Sequence, residues 1–440
     1  MESNVSSGIA SGDDEVSSLL NEDFSNGRNS DFLVETTSYE ETEDTRSELK
    51  FDAALETEEE KQKRSQIEEA LKNEETNLET WKKFALSRCG LVNGKFCFYA
   101  IGKLIVYILD DLRQKVWPLL LCVDPDSSEK APLLADLSHH SEYNQVVLDV
   151  NRSLKRFPPG IPYKQRLALQ DQLTVLILRV IMKYPHLKYY QGYHDVAITF
   201  LLVVGETVAF RVMERLSTDH LRECMEPTME KTSYTLNYLY AILEREDNQL
   251  YEIMDRAMVG TMFALPWYLT WFGHSLTQYR DVVRLYDYFL ASPPLMPLYV
   301  ATSLVIDRRQ EVLNIECDMA SIHCLLSQIP DNLDFECILQ RASTLYKKHP
   351  PNKLEKDVKN RVQKEMEQRR RDEIRIRRRL DKNKPVWMKM HNYIPDWLLL
   401  NYRNKYGLLF MTATLLVGLY AYLKATETGF SIFNLRSWSI

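Results

Sequence analysis

Residues 169–184 read LQDQLTVLILRVIMKY, and their apolar positions decide the fold class. Seven apolar or aromatic side chains recur there at offsets 0, 4, 7, 8, 11, 12 and 15. This spacing places them on one face of an α-helix, whereas a strand would alternate at every second residue. The seven are Leu169, Leu173, Leu176, Ile177, Val180, Ile181 and Tyr184. We therefore predict an amphipathic helix.

The same helical pattern continues over residues 110–348. Residues 196–210 are apolar nearly all round, which predicts a helix buried in the core. Prolines such as Pro227, Pro266 and Pro330 separate the apolar segments. No strand alternation competes, and no repeat of the length found in solenoid proteins is present in the sequence. The predicted class is all-α.

The segments before this domain differ from it in composition. Residues 1–60 hold 18 acidic and 3 basic residues and few large apolar ones, so we predict an acidic disordered head. Residues 61–109 form a helical lead-in, with one charged helix predicted from about Glu58 to Leu86. The apolar run 96–109 contains Lys103 and is too short to span a bilayer. It is predicted to be a core or interfacial segment.

Composition also excludes several classes of chemistry. Glycine is scarce, at 14 residues, and neither GxxxxGK[ST] nor GxGxxG occurs, so we expect no nucleotide site of the chain's own. The seven cysteines form no CxxC, and the nine histidines show no metal-ligand spacing. Because HExxH and GxSxG are also missing from the sequence, we expect neither a metal site nor a hydrolase site.

The C-terminal region has the composition of a membrane anchor. Residues 406–423 read YGLLFMTATLLVGLYAYL, without a charge, and would span about 27 Å as a helix. Residues 349–405 form a basic juxtamembrane linker, with 15 bases and 7 acids between 353 and 389. The positive-inside rule places the linker in the cytosol and residues 424–440 in the lumen. The alternative is a buried core helix.

One short polar pattern lies at the end of a predicted helix. Asp149 and Arg152 are three residues apart, on a face separate from the apolar one. Asp149 would then hold an arginine in place, near the exposed end of the helix. A solvated ion pair is the alternative. Arg156 follows on the same polar face.

A second pattern lies between two predicted apolar helices. Tyr190-Gln191-Gly192 is followed by Asp195, within the stretch YYQGYHD. Gly192 permits a tight turn, and Asp195 is placed to cap the following helix. A packed helix-to-helix turn without further function is the alternative.

Together the two patterns resemble the fingerprints IxxDxxR and YxQGxxD of the TBC domain, the family of Rab GTPase-activating proteins. Further similar stretches are LR…VWP at 112–118, PW…F at 266–272 and VRLYD at 283–287. The resemblance covers about residues 110–348 and implies a two-lobed helical domain followed by a C-terminal transmembrane helix. Around Asp149, around Tyr189 and in its tail, the chain resembles a tail-anchored family member of the endoplasmic reticulum.

Two stretches depart from the family pattern. Typical members place Thr-x-Pro directly after the arginine, whereas residues 153–157 intervene here, so Arg156 is a rival to Arg152. Residues 94–109 look like an insertion. They are either a genuine segment or a retained intron.

The resemblance implies a mechanism in trans. Arg152 would be an arginine finger and Gln191 a glutamine finger, with Asp149, Tyr190, Gly192 and Asp195 supporting them. A Rab-type GTPase, by resemblance the one of endoplasmic-reticulum-to-Golgi transport, would bring GTP and Mg²⁺. The lipid bilayer is the other expected partner, and no nucleic acid is expected. The alternative function is a non-catalytic Rab-binding or membrane-tethering protein.

Overall fold

The computed structural model describes residues 56–73, 75–92, 98–100, 106–108, 110–125, 131–152, 163–383 and 405–433. In the last of these segments, side chains are described for residues 411–426. Nearly all of the predicted acidic head lies outside the described residues, and so does Arg156. The structural statements below concern the described residues.

The first half of the described chain is helical apart from one small hairpin. Its helices are α1 Glu58–Lys72, α2 Leu78–Leu86, α3 Asp111–Leu120, α4 Leu134–Leu137, α5 Tyr143–Arg152, α6 Tyr163–Lys183 and α7 Tyr193–Thr218. The hairpin strands are β1 Phe98–Ala100 and β2 Val106–Ile108.

The second half continues with helices only. They are α8 Glu230–Leu236, α9 Tyr238–Glu246, α10 Asn248–Arg256, α11 Leu265–Leu269, α12 Tyr279–Leu290, α13 Met296–Asp307, α14 Arg309–Asn314, α15 Met319–Ser327, α16 Phe335–Lys348, α17 Pro351–Asn383 and α18 Lys405–Phe433. Two short 3-10 turns, Arg222–Met225 and Met262–Ala264, complete the set. The predicted all-α class is confirmed.

The structure departs from the predicted helical lead-in in two places. The single charged helix is two helices, because the Asn77 side chain accepts a hydrogen bond from the Thr80 amide (2.9 Å) and starts α2 anew. The apolar run 96–109 contains an antiparallel strand pair, with Tyr99 opposite Tyr107. Aromatic and β-branched residues are enriched in this run, and they favour strands over helix.

The helix predicted from residues 169–184 is confirmed as part of α6. Leu173, Ile177 and Val180 are completely buried, and α6 packs against α5 and α7. Each such side chain contributes about 1.5–3 kcal/mol through its removal from water. Helix α7 contains the predicted buried stretch 196–210, and Gly205 (φ +75°) kinks it. Among the helices whose side chains are described over a full membrane-spanning length, α7 is long and apolar enough to cross a membrane, but 78% of its apolar window is buried.

The later helices pack around α13, which is buried along most of its length. Helices α9, α11 and α16 contact it, and the first half of α17 covers α9. Helix α12 packs against α2 and α3 and so ties the later helices to the lead-in.

A buried ion network holds α3, α12 and the lead-in together. Arg113 is completely buried and forms ion pairs with Asp110 and with Asp287, the latter at 2.8 Å. Asp287 also accepts hydrogen bonds from the Leu91 amide (3.0 Å) and from Trp117 Nε1 (2.8 Å). These contacts explain why the stretches 112–118 and 283–287 stand out in the sequence.

The same network fixes both ends of the segment that looks like an insertion. Arg113 Nη1 donates both to the Val92 carbonyl (3.0 Å) and to Asp110. Val92 and Asp110 therefore both contact the Arg113 side chain, and in sequence the hairpin β1–β2 lies between them.

Candidate functional site

Arg152 is the last residue of α5, and its side chain is 69% exposed. Val146 and Val150 bury the opposite face of the helix, as the sequence predicts. The Arg152 guanidinium lies 3.8 Å from Asp149 Oδ1, at the outer limit of an ion pair. A cation at a helix C-terminus is favoured by the helix dipole. The structure therefore presents Arg152 to solvent on a fixed helix end.

Asp149 is 1% exposed and is held by neutral donors as well as by the arginine. Tyr189 donates its phenol proton to Asp149 Oδ2 at 2.9 Å, and Gln145 Nε2 lies 3.2 Å from both carboxylate oxygens. Because these donors satisfy the carboxylate, Asp149 needs no close contact with Arg152. The Asp149–Arg152 pair is present as a long contact, and it leaves the guanidinium accessible.

Gln191 is exposed, and the residues on either side of it are buried. The Tyr190 hydroxyl donates to the Leu269 carbonyl at 2.9 Å, which fixes the chain before Gln191. Gly192 adopts φ +106°, and a Cβ there would approach Thr270 Cγ2 to 2.9 Å. Both the backbone conformation and the close contact require glycine. The tight turn predicted at Gly192 is therefore present.

The turn that supports this loop is itself unusual. Trp271 and Phe272, directly after Thr270, both have positive φ, of 49° and 64°. Non-glycine residues rarely adopt such angles, and each costs on the order of 1–3 kcal/mol unless the surroundings enforce it. Both side chains are buried, so the aromatic core enforces the turn.

Asp195 has a role different from the predicted one. Gly192 is the N-cap residue of α7, and no side chain caps it, so the expected capping by Asp195 was wrong. Asp195 lies inside the first turn, is 5% exposed, and its Oδ2 is 3.1 Å from His274 Nδ1. His194 Nε2 lies 3.6 Å from the same oxygen. Asp195 thus links α7 to the turn after α11.

Tyr189 joins the two sequence patterns, and the sequence analysis did not name it among the site residues. The tyrosine two residues before the glutamine in YxQGxxD is Tyr189, whereas Tyr190, which was expected to support the loop, bonds the Leu269 carbonyl. Burial, and after it the Asp149 carboxylate, raises the pKa of Tyr189, so the phenol keeps its proton. The Tyr189 hydroxyl donates its hydrogen bond to Asp149, and the Tyr189 hydroxyl oxygen lies 3.0 Å from His194 Nδ1. Because the hydroxyl hydrogen points to Asp149, His194 Nδ1 is the donor in this second hydrogen bond.

Hydrogen bonds therefore connect Asp149, beneath Arg152, through Tyr189 to His194 in the first turn of α7, the helix that follows Gln191. The next contact, from His194 Nε2 to Asp195 Oδ2 at 3.6 Å, is longer than a hydrogen bond. The signal for Tyr189 was in the motif spacing. The partner of Asp195, His274, is 79 residues away, and no local pattern indicates it.

The site has the donors for an anion but no ligand set for a metal. Within the described residues, no group of three or more His, Cys, Asp or Glu side chains is placed to hold a metal ion. The exposed groups are a guanidinium and an amide. They are suited to binding phosphoryl oxygens and to orienting a water molecule.

Comparison with known proteins decides the family. The Rab-GTPase-TBC domain model matches residues 110–313. TBC1 domain family member 20 of Homo sapiens is 46% identical over 301 residues, which cover 68% of this chain and 70% of that protein. This chain belongs to the Rab-GTPase-TBC domain family.

Two further comparisons find similar proteins. GTPase-activating protein gyp10 of Schizosaccharomyces pombe is 30% identical over 265 residues, 57% of this chain and 68% of that protein. The crystal structure of the Ypt/Rab-GAP domain of Gyp1p matches with a TM-score of 0.50 at 16% identity, covering 65% of this chain and 97% of that one. The structural match concerns the fold alone. The family resemblance expected from the two motifs is confirmed.

Proposed function

We propose that this TBC-domain chain accelerates GTP hydrolysis by a Rab-type small GTPase, with Arg152 and Gln191 acting in trans. The observation that carries the proposal is the contrast in exposure between these two side chains and the groups that position them. Arg152 and Gln191 are exposed, and the groups that position them are buried and connected through Tyr189. Such an arrangement presents two polar side chains to a partner at little cost in reorganisation.

Arg152 has the chemistry of an arginine finger. The transition state of phosphoryl transfer spreads negative charge over the γ-phosphoryl oxygens and the leaving oxygen. A guanidinium brought to those oxygens neutralises the charge with several N–H donors. Arginine fingers contribute roughly 10³–10⁵ in rate, which is about 4–7 kcal/mol of barrier. The bound nucleotide and Mg²⁺ belong to the GTPase in this proposal.

Gln191 complements the arginine. Its amide both donates and accepts hydrogen bonds, so it can orient an attacking water toward the phosphorus. The buried Tyr190 and the positive φ of Gly192 fix the backbone on both sides of Gln191. This fixation reduces the entropy that the side chain loses on entering the GTPase site.

The test is single-turnover GTP hydrolysis by a panel of purified Rab GTPases, with and without the full-length chain. We expect strong acceleration for at least one Rab, with a GTPase of the early secretory pathway as the first candidate. Tight binding of a GTP-loaded Rab without acceleration would instead support the non-catalytic tether. No binding and no acceleration across the panel would overturn both.

We also propose that α18 anchors the chain in the endoplasmic reticulum membrane as a single span. Its described side chains are exposed over 411–426, and Leu415, Leu416 and Val417 are 67–69% exposed. Three adjacent aliphatic side chains in water are unfavourable, whereas the acyl region of a bilayer accommodates them. Residues 1–405 would then be cytosolic.

The anchor is tested with two variants. Deletion of residues 406–440 should release the chain to the cytosol and leave its activity on a soluble Rab unchanged. A glycosylation acceptor appended after Ile440 should be modified in cells. A membrane-bound chain with an unmodified acceptor would contradict a span and favour a helix lying on the surface.

A further inference from the structure

Helix α17 has a packed half and an exposed half. In the first half, Leu354 and Val358 are completely buried. Arg361 pairs with Asp255 at 3.0 Å and stacks 3.7 Å over the ring of Tyr240. These contacts fix the helix to α9 and α10. From Met366 to Leu380 every described side chain is exposed except the half-buried Asp372.

The exposed half is rich in arginine. Residues 369–379 contain seven arginines, two acids and no lysine. Arg371, Arg375 and Arg378 lie at i, i+4 and i+7, on one side of the helix, and line a shallow groove with Ile374 and Arg379. We call these four arginines the arginine stripe.

The protein itself neutralises little of this charge. Arg371 lies 3.8 Å from Glu367 and Arg375 lies 3.6 Å from Asp372, in exposed pairs along the helix. Such pairs contribute at most a few tenths of a kcal/mol. Among the described side chains, no carboxylate lies within 4.0 Å of Arg378 or Arg379. Like charges at this spacing destabilise an isolated helix, so the stripe is suited to an external anion.

We propose that the arginine stripe binds the phosphate headgroups of an anionic bilayer and lays the second half of α17 on the membrane surface. Guanidinium groups bind phosphate oxygens in a bidentate way, whereas a lysine ammonium group acts as a point charge. A stripe of arginines is therefore better suited to phosphate than a stripe of lysines. Ile374 lies within the stripe and is 42% exposed, so in this orientation it would reach the acyl boundary of the bilayer.

The position of α18 favours the bilayer over other anions. Arg379 and Lys405 are 26 residues apart, so they are at most roughly 90 Å apart even in a fully extended chain. A tail held in the membrane therefore keeps the stripe at a high effective concentration near headgroups. This inference rests on the proposed membrane anchor. It adds the requirement that the lipids carry negative charge, and it assigns the binding of that charge to one face of α17.

The test uses the full-length chain in lipid nanodiscs. One set contains phosphatidylcholine alone and the other an equal mixture with phosphatidylserine. Amide hydrogen exchange of residues 369–379 is measured by mass spectrometry. We expect exchange to slow by about tenfold or more in the anionic discs only, since each basic residue near such a surface contributes about 1 kcal/mol. High salt should remove the effect.

A matched pair of variants separates the stripe from net charge. R375E/R378E changes the stripe, and R369E/R377E makes the same charge change on the other side of the helix. The first should restore the exchange rate of neutral discs, and the second should retain most of the protection. Equal loss in both variants would show a diffuse charge effect and overturn the stripe. Identical exchange in both lipid mixtures would overturn membrane binding of α17 altogether.

Two further measurements separate the stripe from the acidic head and from the anchor. Deletion of residues 1–46 reports on the acidic head. Protection that occurs in neutral discs and disappears with this deletion would show that the acidic head binds the arginine stripe, and it would overturn the proposal.

Recovery of the chain with neutral discs reports on the anchor, and GTP hydrolysis reports on the proposed activity. If neutral discs do not capture the chain, capture by anionic discs that R375E/R378E abolishes still supports the stripe.

Discussion

Arg113 and Arg152 occur in the same sequence pattern, an aspartate three residues before an arginine, with opposite results. Arg113 is completely buried, and Asp110 and Asp287 both neutralise it. Arg152 is 69% exposed, and its contact with Asp149 is long, at 3.8 Å. In both cases the aspartate is buried.

The difference lies in the other partners of each aspartate. Asp110 shares its arginine with a second carboxylate, Asp287, so the guanidinium is drawn inward. Asp149 receives hydrogen bonds from Tyr189 and Gln145, and its arginine remains free to project outward. The pattern DxxR alone therefore does not distinguish a buried structural arginine from an exposed one. The groups that surround the aspartate make the difference.

The largest expected effect is on the exposed arginine. Arg152→Ala should lower stimulated hydrolysis by about 10³–10⁵, because it removes the charge that neutralises the transition state. Stability should change by less than about 0.5 kcal/mol, since the side chain is mostly in solvent. Single-turnover hydrolysis and thermal unfolding measure the two quantities.

Arg156→Ala is the matched control for the arginine assignment. It should cost much less activity than Arg152→Ala. If the two variants lose activity in the opposite order, Arg156 is the finger.

The buried arginine should show the reverse behaviour. Arg113→Ala leaves Asp110 and Asp287 buried without their cation and should cost about 3–5 kcal/mol of unfolding free energy. Chemical denaturation measures this loss. Arg215→Ala, which removes an exposed pair with Asp219 at 3.6 Å, is the control and should change stability by less than about 0.5 kcal/mol. A small loss of unfolding free energy in Arg113→Ala would mean that the buried ion network contributes little to the stability of the fold.

Gln191 extends the comparison to an uncharged side chain. Gln191→Ala should lower the stimulated rate by about 10²–10³, the effect typical of removing one preorganised polar group from an active site. Gln114→Ala, an exposed glutamine on α3, is the control and should have no effect. Substitution of the GTPase's own catalytic glutamine should matter less. Complete resistance of that GTPase variant would mean that its own glutamine positions the water and Gln191 only binds.

Tyr189 tests the link between the two exposed residues. Tyr189→Phe removes one hydroxyl from between Asp149 and His194 and should cost about 1–3 kcal/mol of stability. Because Asp149 and the loop lose their common partner, we also expect about a tenfold loss in stimulated hydrolysis.

Tyr193→Phe is the matched control for this link. It removes a buried hydroxyl that bonds Ser217 at 2.7 Å, so stability should fall while activity stays. Equal activity of the two variants would show that the connection through Tyr189 is only structural.

Local patterns in the sequence were sufficient for the helices and the exposed residues. The period of residues 169–184 predicts α6, and the two motifs locate Arg152 and Gln191. The partners that fix the Gln191 loop and Asp195 were not predictable, because Leu269, Thr270 and His274 come from a distant segment. The capping role given to Asp195 was wrong because Gly192 begins α7, which places Asp195 inside the first turn.

The smallest expected effect concerns Asp281, a carboxylate on the same helix as Asp287 whose neighbouring arginine is more distant than Arg113 is from Asp287. Burial raises the pKa of Asp281 to about 6, Asp331 adds to the shift, and Arg280 at 3.6 Å opposes it. The folded state then holds a proton that the unfolded chain releases near its ordinary pKa of 3.8. The charged carboxylate thus lowers stability progressively between about pH 4 and 6 and fully above that range. Asp281→Asn removes the charge and should stabilise the protein at pH 7 by about 1 kcal/mol after solvent screening. At pH 4 the gain should vanish, because the native carboxyl is then neutral as well.

The control is Asp334→Asn, since hydrogen bonds from Cys337 lower the pKa of Asp334 and its charge is favourable. That variant should not stabilise the protein at pH 7. A gain for Asp281→Asn that is equal at both pH values would assign the effect to packing, and the charge argument for Asp281 would be wrong.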